Sequence, residues 1–155
     1  MPSTAFYPPA AFYFKLSFGN LKGKAEAAFQ EATGLQQDME VEEVTCGGEN
    51  RFKYKLPGIV KYGNLILKRG FITSGSSLAQ WCKDVLAGGL ENPITTRTIT
   101  VSLLAPGSSQ PSTLVSWNFY NAYPVKWGVS DFKSTENTYV VESIEFAYNN
   151  FTQST

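Results

Sequence analysis

Apolar and polar residues alternate with a period of two along most of this chain, and that period predicts strands. Over 11–18, Phe12, Phe14, Leu16 and Phe18 point one way, and Tyr13, Lys15 and Ser17 the other. Three prolines in 1–10 predict an extended N-terminal arm ahead of it, and Gly19 to Lys24 carry turn chemistry. A short strand over 28–33 follows, closed by Gly34. Over 35–44, Leu35, Met39 and Val41 share a face with Gln37 and Glu43, whereas Gln36, Asp38, Glu40 and Glu42 form an acidic, solvent-directed face. A helix is the alternative there, since Glu, Gln and Met are good helix formers. The next segment, 45–60, reads as a long inter-strand loop because it holds Gly47-Gly48 and Leu56-Pro57-Gly58, with 51–55 briefly extended. A strand is expected over 62–71, with Leu65 and Leu67 opposite Ile66 and Lys68.

One segment breaks the period of two. Leu78, Trp81, Cys82, Val85 and Leu86 form a single stripe at helical spacing, preceded by the capping candidates Ser76 and Ser77 and followed by Gly88-Gly89. This predicts one α-helix at about 77–87, with Trp81 and Cys82 in the core. Strands are then expected over 98–104, 113–121 and 138–148. The sum is a mainly β chain, a β-sandwich or barrel-like domain of about seven strands with one helix, expected to form a single domain over 1–155.

Composition narrows the function. Of 155 residues, 43% are apolar and 14% aromatic, and only 17% are charged, below the ~25% usual for globular chains. Thirteen basic and thirteen acidic residues cancel. The basic excess of a nucleic-acid binder is missing, and zero net charge protects poorly against self-association. The chain has no histidine, which removes Ser-His-Asp and Cys-His catalysis and every His-containing zinc site. Cys46 and Cys82 form no disulfide framework or metal motif. No signal peptide and no bilayer-length apolar run is read in the sequence, so neither an ordinary secretion route nor stable membrane insertion is expected.

Little points to chemistry. Glu40, Glu42, Glu43 and Glu49 are the densest carboxylates, but nothing supplies the burial that would separate their pKa values for acid–base work. Gly47-Gly48 and Gly88-Gly89 lack phosphate-loop spacing and read as turns. Lys68-Arg69 is too short for a basic patch. Tyr13, Tyr54, Tyr120 and Tyr123 suit a core or protein interface, with sugar stacking as the rival use. Two alternatives stay open on this basis: a monomeric carbohydrate-binding β-sandwich, and a cell-wall hydrolase working through Glu40.

An ordered set of strings carries a resemblance over nearly the whole chain. It runs from Phe12-Tyr13-Phe14 and Thr33-Gly34-Leu35, through Glu49-Asn50-Arg51-Phe52 and Leu56-Pro57-Gly58, to Lys61-Tyr62-Gly63-Asn64-Leu65-Ile66-Leu67-Lys68-Arg69-Gly70. It continues with Leu78-Ala79-Gln80-Trp81, Val101-Ser102-Leu103-Leu104, Trp117-Asn118-Phe119, Ala122-Tyr123-Pro124-Val125-Lys126-Trp127 and Val141-Glu142-Ser143-Ile144-Glu145-Phe146-Ala147. The set resembles the tail-tube (inner tube) proteins of contractile phage tails and extracellular contractile injection systems. The resemblance implies a structural subunit, not an enzyme, with no catalytic residue, cofactor or metal. Hexameric rings of it would stack into a hollow tube inside a sheath, for effector or DNA delivery. Its partners would be itself, tube paralogs, spike, hub or baseplate proteins, the sheath, and cargo in the lumen. Synthesis and assembly in the bacterial cytoplasm are expected, with release as part of a phage-tail-like particle.

The chain departs from the family pattern at Glu43-Val44-Thr45-Cys46-Gly47-Gly48, Gly128-Val129 and Ala147-Tyr148-Asn149; a bulk-tube subunit and a tube-initiating paralog beside the spike both stay open, and the departures favour the second. Two site expectations accompany the resemblance. By alternation, Gln36, Asp38, Glu40 and Glu42, together with Thr98, Thr100 and Ser102, are the lumen-facing candidates. The long loop, through Gly47, Gly48, Glu49, Asn50, Phe52, Leu56 and Pro57, is the candidate inter-ring contact.

Overall fold

The fold was obtained as a computed structural model, which describes residues 14–19, 21, 29–48, 50–71, 75–105, 112–135 and 139–155. The predicted N-terminal arm, Tyr13, most of the first turn, and Glu49 lie outside them. Among these described residues, nine strands and one helix occur in the order β1 (Phe14–Phe18), β2 (Phe29–Thr33), β3 (Gln37–Val44), β4 (Tyr54–Tyr62), β5 (Leu65–Gly70), α1 (Ser77–Ala87), β6 (Arg97–Leu104), β7 (Thr113–Val129), β8 (Val141–Ala147) and β9 (Asn150–Ser154).

All strand pairs are antiparallel, and the long β7 serves two layers. Its first half lies between β6 and β9, and β6 pairs onward to β1. Its second half pairs with β8, which leads to β5 and β2. The hand-over falls at Asn121, whose φ of 54° lies in the left-handed region. Asparagine tolerates that conformation better than most side chains, and the strand swings from one sheet into the other there.

Alternation fills the space between the layers. Leu16, Phe18, Ile99, Val101 and Phe119 from the first sheet meet Leu65, Leu67, Ile144 and Phe146 from the second, all buried. Helix α1 adds Leu78, Trp81 and Cys82 to this core; the Trp81 ring stacks on Phe146 at 5.6 Å, and Phe146 also meets Phe18 at 6.1 Å. Ser76 is the N-cap, accepting from the Ala79 amide at 3.1 Å. Leu86, at the end of the predicted stripe, is exposed.

One ion pair sits inside this apolar layer. Arg69 on β5 and Glu142 on β8, facing each other in the register, are both 1% exposed, and Arg69 Nε donates to Glu142 Oε2 at 2.8 Å. Trp127 Nε1 donates to the other Glu142 oxygen at 2.5 Å, and Arg69 Nη2 donates to Ser76 Oγ at 2.7 Å. The Arg69 guanidinium also lies 5.4 Å from the Phe29 ring centroid. Two strands of the second sheet, the end of β7 and the cap of α1 are thereby tied to one desolvated pair. In the sequence Lys68-Arg69 looked like a minor basic step; in the fold Arg69 is core.

Four expected segments have their boundaries corrected. The expected loop over 45–60 is a loop only to residue 53, because β4 occupies the rest; Pro57 and Gly58 sit at a β-bulge, where a missing N–H and a missing Cβ are tolerated. The expected strand over 62–71 starts at Leu65, and Tyr62 belongs to β4. The expected strand over 113–121 runs on to Val129, while the final one ends at Ala147 and is followed by the unforeseen β9.

Replacing Glu142 with Gln removes the carboxylate that faces the buried Arg69 charge and should cost about 3–5 kcal/mol, read as a lower urea midpoint. Exchanging both partners for apolar residues should recover most of that loss. The two cysteines should also separate chemically. Burial, followed by the Glu142 charge, pushes the Cys82 thiol from an ordinary 9.0 to about 12, whereas Cys46 is exposed. A thiol reagent should label Cys46 in the folded protein and Cys82 only after unfolding. Because the folded pKa is raised, the contribution of Cys82 to stability should be full below about pH 9 and decay between about 9 and 12; Cys82→Ala should flatten that part of the stability–pH curve.

Candidate assembly surfaces

The outer face of the first sheet is built from the residues that alternation leaves out of the core. On β6 these are Thr98, Thr100 and Ser102, opposite buried Ile99 and Val101. The register carries that face sideways to Ser17 and Lys15 on β1, and to Asn118 and Ser116 on β7. Beyond β7 it reaches Thr152 and Ser154 on β9, with Tyr120 opposite Asn150. Short cross-strand bonds run over it: Thr100 Oγ1 donates to Asn118 Oδ1 at 2.8 Å, the Ser116 and Ser154 hydroxyls lie 2.8 Å apart, and the Tyr120 and Thr152 hydroxyls 3.1 Å apart. The result is a four-stranded surface of hydroxyls and amides. Its outer strands, β1 and β9, have no further backbone partner among the described residues. Such an edge is a template for another strand.

The second surface is a two-stranded hairpin, β3–β4, which is exposed on both faces. The apolar side of β3 was expected to be covered; instead Met39 is 52% and Val41 54% exposed, and Ile59 on β4 reaches 73%. Among the described residues nothing lies over this hairpin. Phe52 and Tyr54 meet edge-to-face at 5.3 Å near its far end, both about half exposed. Surface ion pairs cross it: Lys61 with Glu40, and Lys53 with Glu43 at 3.9 Å. Such exposed pairs are worth little.

The root of the hairpin is held firmly. Tyr62 packs edge-to-face against Phe151 at 5.2 Å and Tyr148 at 5.9 Å, and Phe119 joins them at 4.8 Å from Tyr148. The Tyr148 hydroxyl is buried without a hydrogen-bond partner among the described residues, and burial together with the nearby Tyr62 pushes its pKa up. Asn64 Nδ2 donates to Glu145 Oε1 at 2.9 Å. Gly34, at the other side of the root, has φ +93°, and a Cβ there would fall 2.0 Å from the Asn64 carbonyl oxygen.

The site candidates fall on these two surfaces as follows. Thr98, Thr100 and Ser102 lie on the hydroxyl face. Asp38, Glu40 and Glu42 lie on β3, a separate sheet, with Gln36 just before it, so the structure does not bring the two candidate groups together. Gly47, Gly48, Asn50 and Phe52 are in the loop at the hairpin's end, and Glu49 is outside the described residues. Leu56 and Pro57, expected in that loop, are in β4, opposite Glu42 and Val41. Lys15, Ser116, Asn118, Tyr120 and the whole of β9 were not among the candidates; the pairing register is what adds them. Glu40 and Glu42 are exposed. Among the described residues no helix is long and apolar enough to cross a membrane.

A polar sheet face between two open edges, with an exposed apolar hairpin, is a layout suited to self-assembly. The chain belongs to the tail tube family: the family model for the T4-like virus tail tube protein gp19 matches residues 10–152. It is similar to a chain in the 6-fold symmetrised cryo-EM structure of the anti-feeding prophage baseplate, at 25% identity over 96% of each chain with a TM-score of 0.81. It also shares its fold with a chain of the extended sheath–tube complex of PVC, an extracellular contractile injection system (23% identity, 97% of this chain and 93% of that one, TM-score 0.79). The same fold is seen in Hcp1 from Flavobacterium johnsoniae (15% identity, 92% and 94%, TM-score 0.56). No curated protein matches by sequence. The chain is thus a structural tube subunit of the phage-tail and contractile-injection type, and the carbohydrate-binding and hydrolase alternatives have no support.

Gly34→Ala should strain the hairpin root through both its φ and its contact with Asn64. We expect a loss of about 1–3 kcal/mol and faster amide exchange along β3 and β4 than along β6 and β7.

Proposed function

We propose that this chain closes into hexameric rings through β1 and β9, with the hydroxyl face turned to the lumen, and that the rings stack through the β3–β4 hairpin. The observation that carries this is the position of the polar face between two unpaired edges. Pairing β1 of one copy with β9 of the next removes both edges and continues the sheet into a barrel. Four strands from each of six copies, roughly 24 in all at ~4.8 Å spacing, make a circumference of about 115 Å. That corresponds to about 37 Å between opposite backbones, before strand tilt widens it. Thr98, Thr100 and Ser102 are then lumen residues, with Ser116, Asn118, Thr152 and Ser154 beside them.

Stacking is the use that suits the hairpin, because its uncovered apolar side chains need a second surface. Phe52, Leu56 and Pro57 are the proposed contacts, with Gly47, Gly48 and Asn50 shaping the tip, and Glu49 completing the segment. The acidic residues Asp38, Glu40 and Glu42, with Gln36, then belong to the interface between subunits and not to the lumen. The particle partners follow from the class: a surrounding sheath, a spike or hub, and tube paralogs, with cargo in the bore. Assembly in the bacterial cytoplasm before release fits that role. The sequence departures near Cys46, Gly128 and Tyr148 favour a paralog seated by the spike.

Negative-stain electron microscopy of the concentrated protein tests this reading. Six-fold rings or stacked tubes are expected, from the protein alone or once it is mixed with its spike and tube partners; persistent monomers in both preparations would count against it. Leu56→Asp, on a half-exposed position, should leave the unfolding midpoint within about 0.5 kcal/mol of the parent and abolish stacking. Tubes of normal length from that variant would remove the hairpin from the ring-to-ring contact.

A further inference from the structure

The hydroxyl face has a sign. Among its described residues the only formal charge is Lys15, and no carboxylate shares the face. Lys15 is exposed and takes part in no ion pair among the described residues, lying opposite Ser102 in the β1–β6 register. The carboxylates of 36–44 are on the separate hairpin, where Lys61 faces Asp38 and pairs with Glu40. Ring closure therefore concentrates positive charge of one kind in the bore.

We infer that Lys15 forms a cationic girdle in each ring, and that this girdle retains acidic polypeptide cargo. The inference rests on the ring reading above. With a circumference of about 115 Å, neighbouring lysines lie roughly 19 Å apart, about two Debye lengths at physiological salt. Each acts as an isolated cation that a cluster of Asp and Glu side chains can find. A nucleic-acid track needs a denser basic stripe with arginine forks or stacking aromatics, and this face has neither. Between the lysines, hydroxyls and amides exchange hydrogen bonds with a passing peptide and offer few apolar anchors. Weak, screened attraction on a polar wall suits a cargo that must be held and then leave.

The experiment uses assembled tubes whose rings have been verified by electron microscopy, and three labelled probes: deca-glutamate, deca-lysine and a short DNA duplex. At 50 mM salt the tubes should retain deca-glutamate at least tenfold over deca-lysine, and 500 mM salt should release it. Lys15→Ala should cut that retention at least fivefold, Lys15→Glu should reverse the preference, and Lys83→Ala on helix α1 should change neither. Preference for deca-lysine in the parent tubes would overturn the inference and indicate that the acidic hairpin face lines the bore. Equal retention by the parent and Lys15→Ala would also overturn it, and tighter binding of the duplex than of deca-glutamate would overturn the polypeptide assignment. Failure to form rings would instead overturn the ring reading, and the girdle with it.

Discussion

Strand β7 is the constraint on which the rest depends. Its seventeen residues serve both sheets, so the angle between the layers, and with it the core, is set where its backbone turns at Asn121. Before that residue its side chains alternate between the core and the hydroxyl face; after it they alternate between the core and the outside of the second sheet. The Arg69–Glu142 pair works in the same frame, since Trp127 on the far half of β7 closes on Glu142 while Ser76 at the helix cap closes on Arg69. A buried charged pair is an expensive way to join four elements. What it adds over an apolar contact is geometry: the partners' hydrogen bonds are satisfied in one arrangement of β5, β7, β8 and α1. We read it as a device that specifies how the second sheet and the helix seat on the first.

The two assembly surfaces are fixed to this core in different ways. The hydroxyl face is the reverse side of the core strands themselves, so its flatness and register are guaranteed by Ile99, Val101 and Phe119 packing on the other side. The hairpin has no such backing. Its direction is set at the root, where Tyr62 enters the aromatic group of Phe119, Tyr148 and Phe151 and where Gly34 lets the backbone pass close to Asn64. β9 contributes to both surfaces: Phe151 holds the hairpin root, while Thr152 and Ser154 extend the polar face and form its open edge.

Much of this was legible in the sequence. Period-two alternation located β1, β2, β3, β6 and β8 and the half of β7 that lies before Asn121, and one helical stripe located α1 with its Ser76 cap. The misses have physical causes. Leu56-Pro57-Gly58 is loop chemistry in isolation, but within β4 it forms a bulge, and a bulge is recognised by its partner strand, not by composition. Strand β9 is short and polar at alternate positions, with Phe151 as its one large apolar residue, which is too weak a pattern to call without knowing that β7 lies beside it. Arg69 was read only as half of a short basic step, because a lone sequence cannot show that Glu142 faces it across β5 and β8. The candidate lumen residues on β6 were found by alternation alone; those on β1, β7 and β9 needed the register.

The same constraint separates the acidic strand from the hydroxyl strand. Asp38, Glu40 and Glu42 alternate as cleanly as Thr98, Thr100 and Ser102, and alternation alone treats the two strands as equals. What separates them is what lies behind: β6 has a core on its other face, and β3 has exposed Met39 and Val41. A polar face backed by a core is already finished as a wall and can border water. A strand whose apolar side is also uncovered is unfinished, and its polar side shares the fate of whatever covers it. Charged side chains on such a strand are therefore better placed to choose a neighbour than to line a channel, since at a contact their pairing with the wrong surface carries a penalty. On that argument the proposed assembly assigns selectivity between subunits to the hairpin and the bore to the sheet.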